Sequence, residues 1–314
     1  MKIKRILRRL AAVFIAFALP LCASCTAPAK DSARLSIVCT IYPQYAFASE
    51  IAGGLADVKM LLSPGAEAHG FEPTARDLSE IFSSDLFIYC SGESEEWVES
   101  SMPDIKNSRT TVLDIRDGLE LISTDGEHDE HDGHDHHHDG FDEHVWTSPK
   151  NAAEICGNIL KAMCAADPDN AAAYRKNADK IEARLAASDA RLTALAEKAE
   201  NKVLIFADRF PFAYLAHDYG FEHFAAFNGC SSSTEISVAV VSRLCENVRE
   251  NAAKNVFYTE TSDGRIAQTV ANSTGAKPVR LHSQHNLSKS EFKEGLTFCD
   301  IMDENVTILE EAFL

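Results

Sequence analysis

Residues 35–62 read "LSIVCTIYPQYAFASEIAGGLADVKMLL": an apolar run of strand length, a stretch with helically spaced apolar residues opening at Pro43, a Gly53-Gly54 stop, and a second apolar run. Short continuous apolar runs suit strands buried on both faces. Proline near a helix start and glycine past its end punctuate the segment between them. A third run, "DLFIYC" at 85–90, follows the helical pattern "TARDLSEIF" at 74–82. The alternation is βαβαβ and predicts a parallel sheet with right-handed crossovers.

Toward the C-terminus, "SPKNAAEICGNILKAMCAADP" (148–168) carries Ser148 as N-cap, Pro149 at the first helical position and Pro168 as a stop. Residues 169–201 then place Tyr174, Ala178, Ile181, Leu185, Ser188, Leu192, Leu195 and Ala199 on alternating spacings of four and three, with Ser188 the polar exception. One amphipathic helix of about thirty residues, roughly 45 Å long, is predicted. A coiled-coil dimer would use the same periodicity, but a single run of about four heptads inside an α/β chain favours packing on its own domains. A second alternating series begins at "KVLIFAD" (202–208) and continues through "NVFYTE" (255–260) and "KPVRLH" (277–282). The expected fold is α/β, with two lobes, each a parallel sheet flanked by helices, joined by one long backbone helix. The expected divisions are a signal peptide over 1–24, a first lobe over 25–168, the linking helix over 169–201 and a second lobe over 202–314.

The chain opens with Lys2, Lys4, Arg5, Arg8 and Arg9 ahead of an apolar run from Leu10 to Leu21. That is the pattern of a secretory signal, and the run falls short of the roughly twenty residues a spanning helix needs. Losing residues 1–24 removes five positive charges and takes the formal balance of −18 to about −23. So acidic a protein is a poor partner for nucleic acid or anionic lipid and a good concentrator of cations. Seven cysteines follow Cys25, at Cys39, Cys90, Cys156, Cys164, Cys230, Cys245 and Cys299, with no CxxC pair among them. A cysteine zinc knuckle is therefore not expected, and the odd number leaves at least one thiol free if pairing is intramolecular.

Residues 127–140, "EHDEHDGHDHHHDG", hold His128, His131, His134, His136, His137 and His138 among six acidic residues and two glycines. With no apolar residue to bury, the stretch is expected to be a mobile surface loop. A solvated charge run would explain aspartate and glutamate alone. Six imidazoles beside carboxylates point instead to weak, multidentate contact with a borderline divalent ion such as Zn²⁺.

In open parallel sheets the ligand crevice lies beyond the carboxyl ends of the strands. There the sequence sets His69 in "SPGAEAHGFEP", His144 in "FDEHVWTSPKNA", Asp208 at the end of "KVLIFAD", Glu260 at the end of "NVFYTE", and His282 and His285 in "LHSQHN". Each has an ordinary alternative: a turn residue at His69, an extension of the histidine-rich loop at His144, a helix N-cap at Asp208, a surface carboxylate at Glu260. Those alternatives do not account for donors at equivalent places in both lobes. His217, within a helical pattern, and His223, near the start of "EHFAAF", read as structural or surface residues.

This arrangement resembles the metal-binding solute-binding lipoproteins of ABC importers, the family that delivers zinc or manganese to a membrane permease. "PGAEAHGFEPTARDLSEIFSSDLFIYCSGESEEW" is similar to the segment carrying the family's first ligand histidine, which falls on His69, and "DEHVWTSPKNA" to that carrying the second, on His144. The acidic histidine-rich insertion resembles that of the zinc-handling members, and "GLTFCDIMDENVTILEEAFL" their closing helix. At the place of a third ligand histidine stands Arg209, with Asp208 beside it. The place of a closing carboxylate falls on His285, counted back from the last helix, with His282 its competitor. The resemblance also implies lipidation of Cys25 after "LCAS", and it leaves a disulfide from Cys230 unsupported because Gln284 stands where a second cysteine is expected.

The expectation is reversible capture of Zn²⁺, with Mn²⁺ possible, by His69, His144, Asp208 and His285, with His282 and Glu260 as alternates. Three imidazoles and one carboxylate fit tetrahedral zinc, whereas manganese favours more oxygen. Expected partners are the metal ion and an ABC permease and ATPase complex, for an exported, lipid-anchored or periplasmic monomer. A secreted zinc hydrolase is disfavoured, since neither HExxH nor GxSxG occurs and four protein ligands leave no open position. A surface metal buffer or adhesin remains the alternative of a different class.

Overall fold

The computed structural model describes residues 34–68, 70–124, 140–227 and 237–314, and of Glu93 the backbone alone. The signal, Cys25, His69, the histidine cluster 128–138 and Cys230 lie outside the described residues.

The first sheet forms from β1 (Ser36–Cys39), β2 (Asp57–Met60), β3 (Leu86–Tyr89) and β4 (Thr111–Asp114) in the order β2-β1-β3-β4, every pairing parallel. Its crossovers are α1 (Tyr42–Ala52), α2 (Ala75–Ser83) and α3 (Glu96–Asn107). Helix α1 stops at Gly53, left-handed at φ 53°, where a Cβ would meet Asn177 Nδ2 at 2.5 Å. A capping box opens α2, with Thr74 and Asp77 satisfying each other's backbone N–H groups. The first strands, α1 and α2 follow the sequence reading; β4 and α3 are additions to it.

The second sheet repeats the plan. Strands β5 (Val203–Arg209), β6 (Glu222–Phe227), β7 (Asn255–Tyr258) and β8 (Lys277–Arg280) run parallel in the order β6-β5-β7-β8. In each sheet the chain reverses direction of growth at its first strand, so the switch points are β1/β3 and β5/β7, where open α/β sheets take their ligands.

Between the sheets run α4 (Pro149–Ala166) and α5 (Ala171–Lys198), the latter preceded by a short 3₁₀ turn at Pro168–Asn170. The buried residues of α5 are Ala171, Tyr174, Ala178, Ile181, Leu185, Ser188, Leu192 and Leu195, the face read from the sequence with Ala171 added and Ala199 lost, since Ala199 is the half-buried residue past the helix end. They pack on α1, α4 and the closing helix (Phe298–Phe313), so the heptad face is consumed within the chain. Ser188, the polar exception, donates to Asp303 Oδ1 at 2.9 Å, while Arg184 holds Asp300 and Asp303 at 2.8 and 2.7 Å. Leu35–Leu314 form one compact unit, with separate apolar cores under the two sheets. Cys39, Cys90, Cys156, Cys164, Cys245 and Cys299 are all free thiols.

Candidate metal centre at the seam of the two sheets

Asp142 organises the first half of the centre. Its backbone N–H bonds Ile122 O, and Ser123 pairs with Phe141, so the flanks of the histidine-rich segment meet as a short antiparallel bridge. Tyr214 accepts from Ile122 N and donates to Asp142 O at 2.8 Å, tying this junction to the second lobe. Asp142 Oδ1 then accepts from the backbone N–H of His144 at 2.8 Å and faces its Nδ1 at 3.1 Å. A carboxylate on Nδ1 fixes the tautomer whose lone pair sits on Nε2, the arrangement that orients ligand imidazoles. Burial works against protonation of His144, yet Asp142, Glu143 and Glu260 together outweigh it and hold the imidazole pKa above its ordinary value.

The second half is the loop after β8. Glu260 clamps Ser283, accepting from its N–H at 2.7 Å and its hydroxyl at 2.6 Å. Asn305 brackets His282 by accepting from its N–H and donating to its carbonyl. Gln284 has φ 62°, a left-handed conformation uncommon outside glycine, and holds it by bonds to His282 Nδ1 and Phe298 O. These ties aim His285 back at the seam.

The two halves meet. The His144 and His285 rings stand 5.4 Å apart at 88°, and Trp146 lies 5.5 Å from the first and 5.2 Å from the second. One ligand atom each from Glu143, His144 and His285 falls within 4.8 Å of the others, and all three residues are buried. His144 and His285 line a cavity of about 60 Å³ together with Ala68, Asp208, Arg209 and Asn286, and Glu143 stands outside its lining. That volume suits an ion with its donors, not a large organic ligand. A larger groove of about 490 Å³ at the far end of the second sheet is lined by no histidine.

The residues expected from sequence divide accordingly. His144 and His285 come together. Asp208 borders the same cavity at a register shift in β5, but its oxygens are engaged by Thr259 Oγ1 at 2.5 Å and the Arg209 N–H at 2.9 Å. It is no helix cap, because α6 (Ala213–Tyr219) begins after Phe212. The side chain of Glu260 is turned inward and committed to Ser283, so it is no surface carboxylate. His282 does not line the cavity; its Nδ1 accepts from Gln284 N and its Nε2 stands 3.8 Å from Glu291. Ala68, which precedes His69, forms part of the cavity wall. His217 is exposed, and His223 stacks on Phe210 at 3.9 Å. Glu143 is absent from the ligands expected from sequence, and the one signal for it was an acid directly before His144. It packs against Gly92, where a Cβ would lie 2.2 Å from Glu143 Oε2, and that oxygen accepts from Ser94 N at 3.0 Å.

Two parallel α/β lobes bridged by one long helix, with a donor-lined cavity at their seam, define a two-lobed binding protein. Residues 37–312 match the profile of the family described as ZnuA, zinc-uptake complex component A, periplasmic. The chain belongs to that family. It is 34% identical over 285 residues to the high-affinity zinc uptake system protein ZnuA of Bacillus subtilis (strain 168), covering 90% of this chain and 88% of the relative. It is 30% identical to the zinc-binding lipoprotein AdcA of Streptococcus pneumoniae serotype 4, over 99% of this chain but 61% of that longer protein. The Zn(II)-bound ZnuA-like domain of Streptococcus pneumoniae AdcA superposes with a TM-score of 0.76 at 27% identity, covering 89% of this chain and 99% of that domain.

Proposed function

We propose that this protein is the extracytoplasmic zinc receptor of an ABC importer, binding the ion at the seam and passing it to the permease without chemical change. The observation that carries this reading is the convergence of His144 and Glu143 from one lobe with His285 from the other within 4.8 Å. His69 is the third imidazole of the set. Asp208 borders the same cavity as the carboxylate of the set, with Glu260 its alternate, and imidazoles with so few carboxylates suit tetrahedral zinc better than the oxygen-rich shell manganese favours. The histidine-rich loop acts as a weak collector that raises local zinc, and Cys25 carries the lipid anchor of a monomer divided at residues 168 and 201. Zinc titration of the mature chain, a deletion of residues 127–140, and His69→Ala tests this: the deletion keeps one tight site and His69→Ala loses it. Tight binding that disappears with the deletion overturns the assignment.

A further inference from the structure

Asn286 follows the expected ligand His285 directly and reaches across the seam. Its Nδ2 donates to Ser63 O at 3.0 Å and to Ala66 O at 2.8 Å, while its Oδ1 accepts from Leu287 N at 2.8 Å. The backbone adds Gly65 N–H donating to Leu287 O at 2.7 Å. Residues 63–66 are a tight turn, with Ala66 N bonded to Ser63 O and Gly65 at φ 79°. The carboxamide is buried and every hydrogen-bonding atom of it is used. Of the short side chains only asparagine offers two hydrogens on one nitrogen without charge. An isosteric aspartate would set a carboxylate against two carbonyls.

The walls of the cavity are not equally anchored. Asp208 and Arg209 end a strand, and Thr259 follows one directly. Trp146 is fully buried and donates to Ser283 O. Elsewhere the seam is tied by Tyr42 to Leu296 O and by Tyr214 to Asp142 O. The wall made by Ala66, Glu67 and Ala68 continues directly from the 63–66 turn, and Asn286 and Leu287 bond that turn across the seam.

Building on the zinc-receptor reading, we propose that Asn286 is a positioning residue: it latches the 63–66 turn of the first lobe to the His285 loop of the second, and parting of this latch sets the rate at which zinc leaves. Two hydrogen bonds of ordinary strength imply release faster by about ten- to a hundred-fold when both are lost.

The test uses the mature chain with Asn286→Ala and Asn286→Asp, following zinc release to excess chelator by stopped flow and apo-protein melting in parallel. Both variants are expected to release zinc about ten- to a hundred-fold faster than wild type at temperatures well below melting. Lower melting temperatures with an unchanged release rate overturn the proposal, because a merely structural contact behaves that way. Should either variant fail to fold, hydrogen exchange at the Gly65 N–H of the wild type decides: zinc loading slows it if the latch is coupled to the ion, and an unchanged rate overturns the coupling. A wild-type chain with no tight zinc site fails the receptor reading itself, a result distinct from a tight site whose release ignores Asn286.

Discussion

Trp146 donates its indole N–H to the carbonyl of Ser283 at 2.9 Å, joining the turn that carries His144 to the loop that carries His285. The bond is buried and sits against both imidazoles. Trp146→Phe keeps the ring and leaves the Ser283 carbonyl without its donor, so stability should fall by about 1–3 kcal/mol. Urea unfolding of the apo-protein checks this, and zinc affinity measured alongside should weaken because His285 loses its registry.

Asp142 is predicted to matter as an orienter of the ligand and not as a ligand. Asp142→Ala frees the His144 ring to rotate and to change tautomer, and zinc affinity should drop roughly 10–100-fold while stoichiometry stays at one tight ion. Isothermal titration separates affinity from stoichiometry. Asp142→Asn retains an acceptor for Nδ1–H and should lie between wild type and Asp142→Ala.

The elevated His144 pKa gives a signed pH dependence. Zinc needs the neutral imidazole, so affinity should decline with falling pH beginning above 6.5, the ordinary histidine value. In the apo-protein the folded pKa lies above the unfolded one. The stability contributed by protonated His144 is therefore present below 6.5 and lost as pH rises through the folded value. Melting curves across that window should show the gap between zinc-loaded and apo-protein widening as pH rises.

Glu95 supplies a second titration with the same sign: its stability contribution is also lost as pH rises. Its carboxyl is fully buried and pushed up to about 8, burial being the main cause and Glu143 adding to it against bonds from Thr40 and Cys90. Geometry agrees. Gln44 Oε1 already accepts from Thr40 N and Ile41 N, yet the Thr40 hydroxyl lies 2.8 Å from it and 2.6 Å from Glu95 Oε1. One hydroxyl hydrogen cannot serve both acceptors at full strength, so the bond it gives Glu95 is a weak counterweight to burial. The folded state thus holds a proton the unfolded chain loses near 4.5, and stability should fall across pH 4.5 to 8 by up to roughly 1.4 kcal/mol per unit. Glu95→Gln, which can donate without titrating, should flatten that slope in urea unfolding at pH 5.5 and 8.

Much of this was legible in the chain because it is local. The face of α5 from Tyr174 to Leu195 followed from spacing alone, Ser188 included, while a helix start marked His144 and the end of a strand marked the loop of His285, which the resemblance favoured over His282. Helix α3 was obscured by Pro103 within "EWVESSMPDIKN", and β4 by its length of four half-exposed residues. Glu143 was hidden by its acidic neighbours, since nothing local separates a buried carboxylate from a solvated one. Asn286 lies more than two hundred residues from its partners Ser63 and Ala66, and no periodicity encodes such a pairing.

Zinc K-edge absorption of the zinc-loaded mature chain, compared with His144→Ala and His285→Ala, tests the shared centre most directly. The wild type should show a nitrogen and oxygen shell at about 2.0–2.1 Å with imidazole scattering, and each variant should lose one imidazole together with tight binding. An unchanged spectrum and undiminished affinity in His285→Ala would contradict a centre built from both lobes.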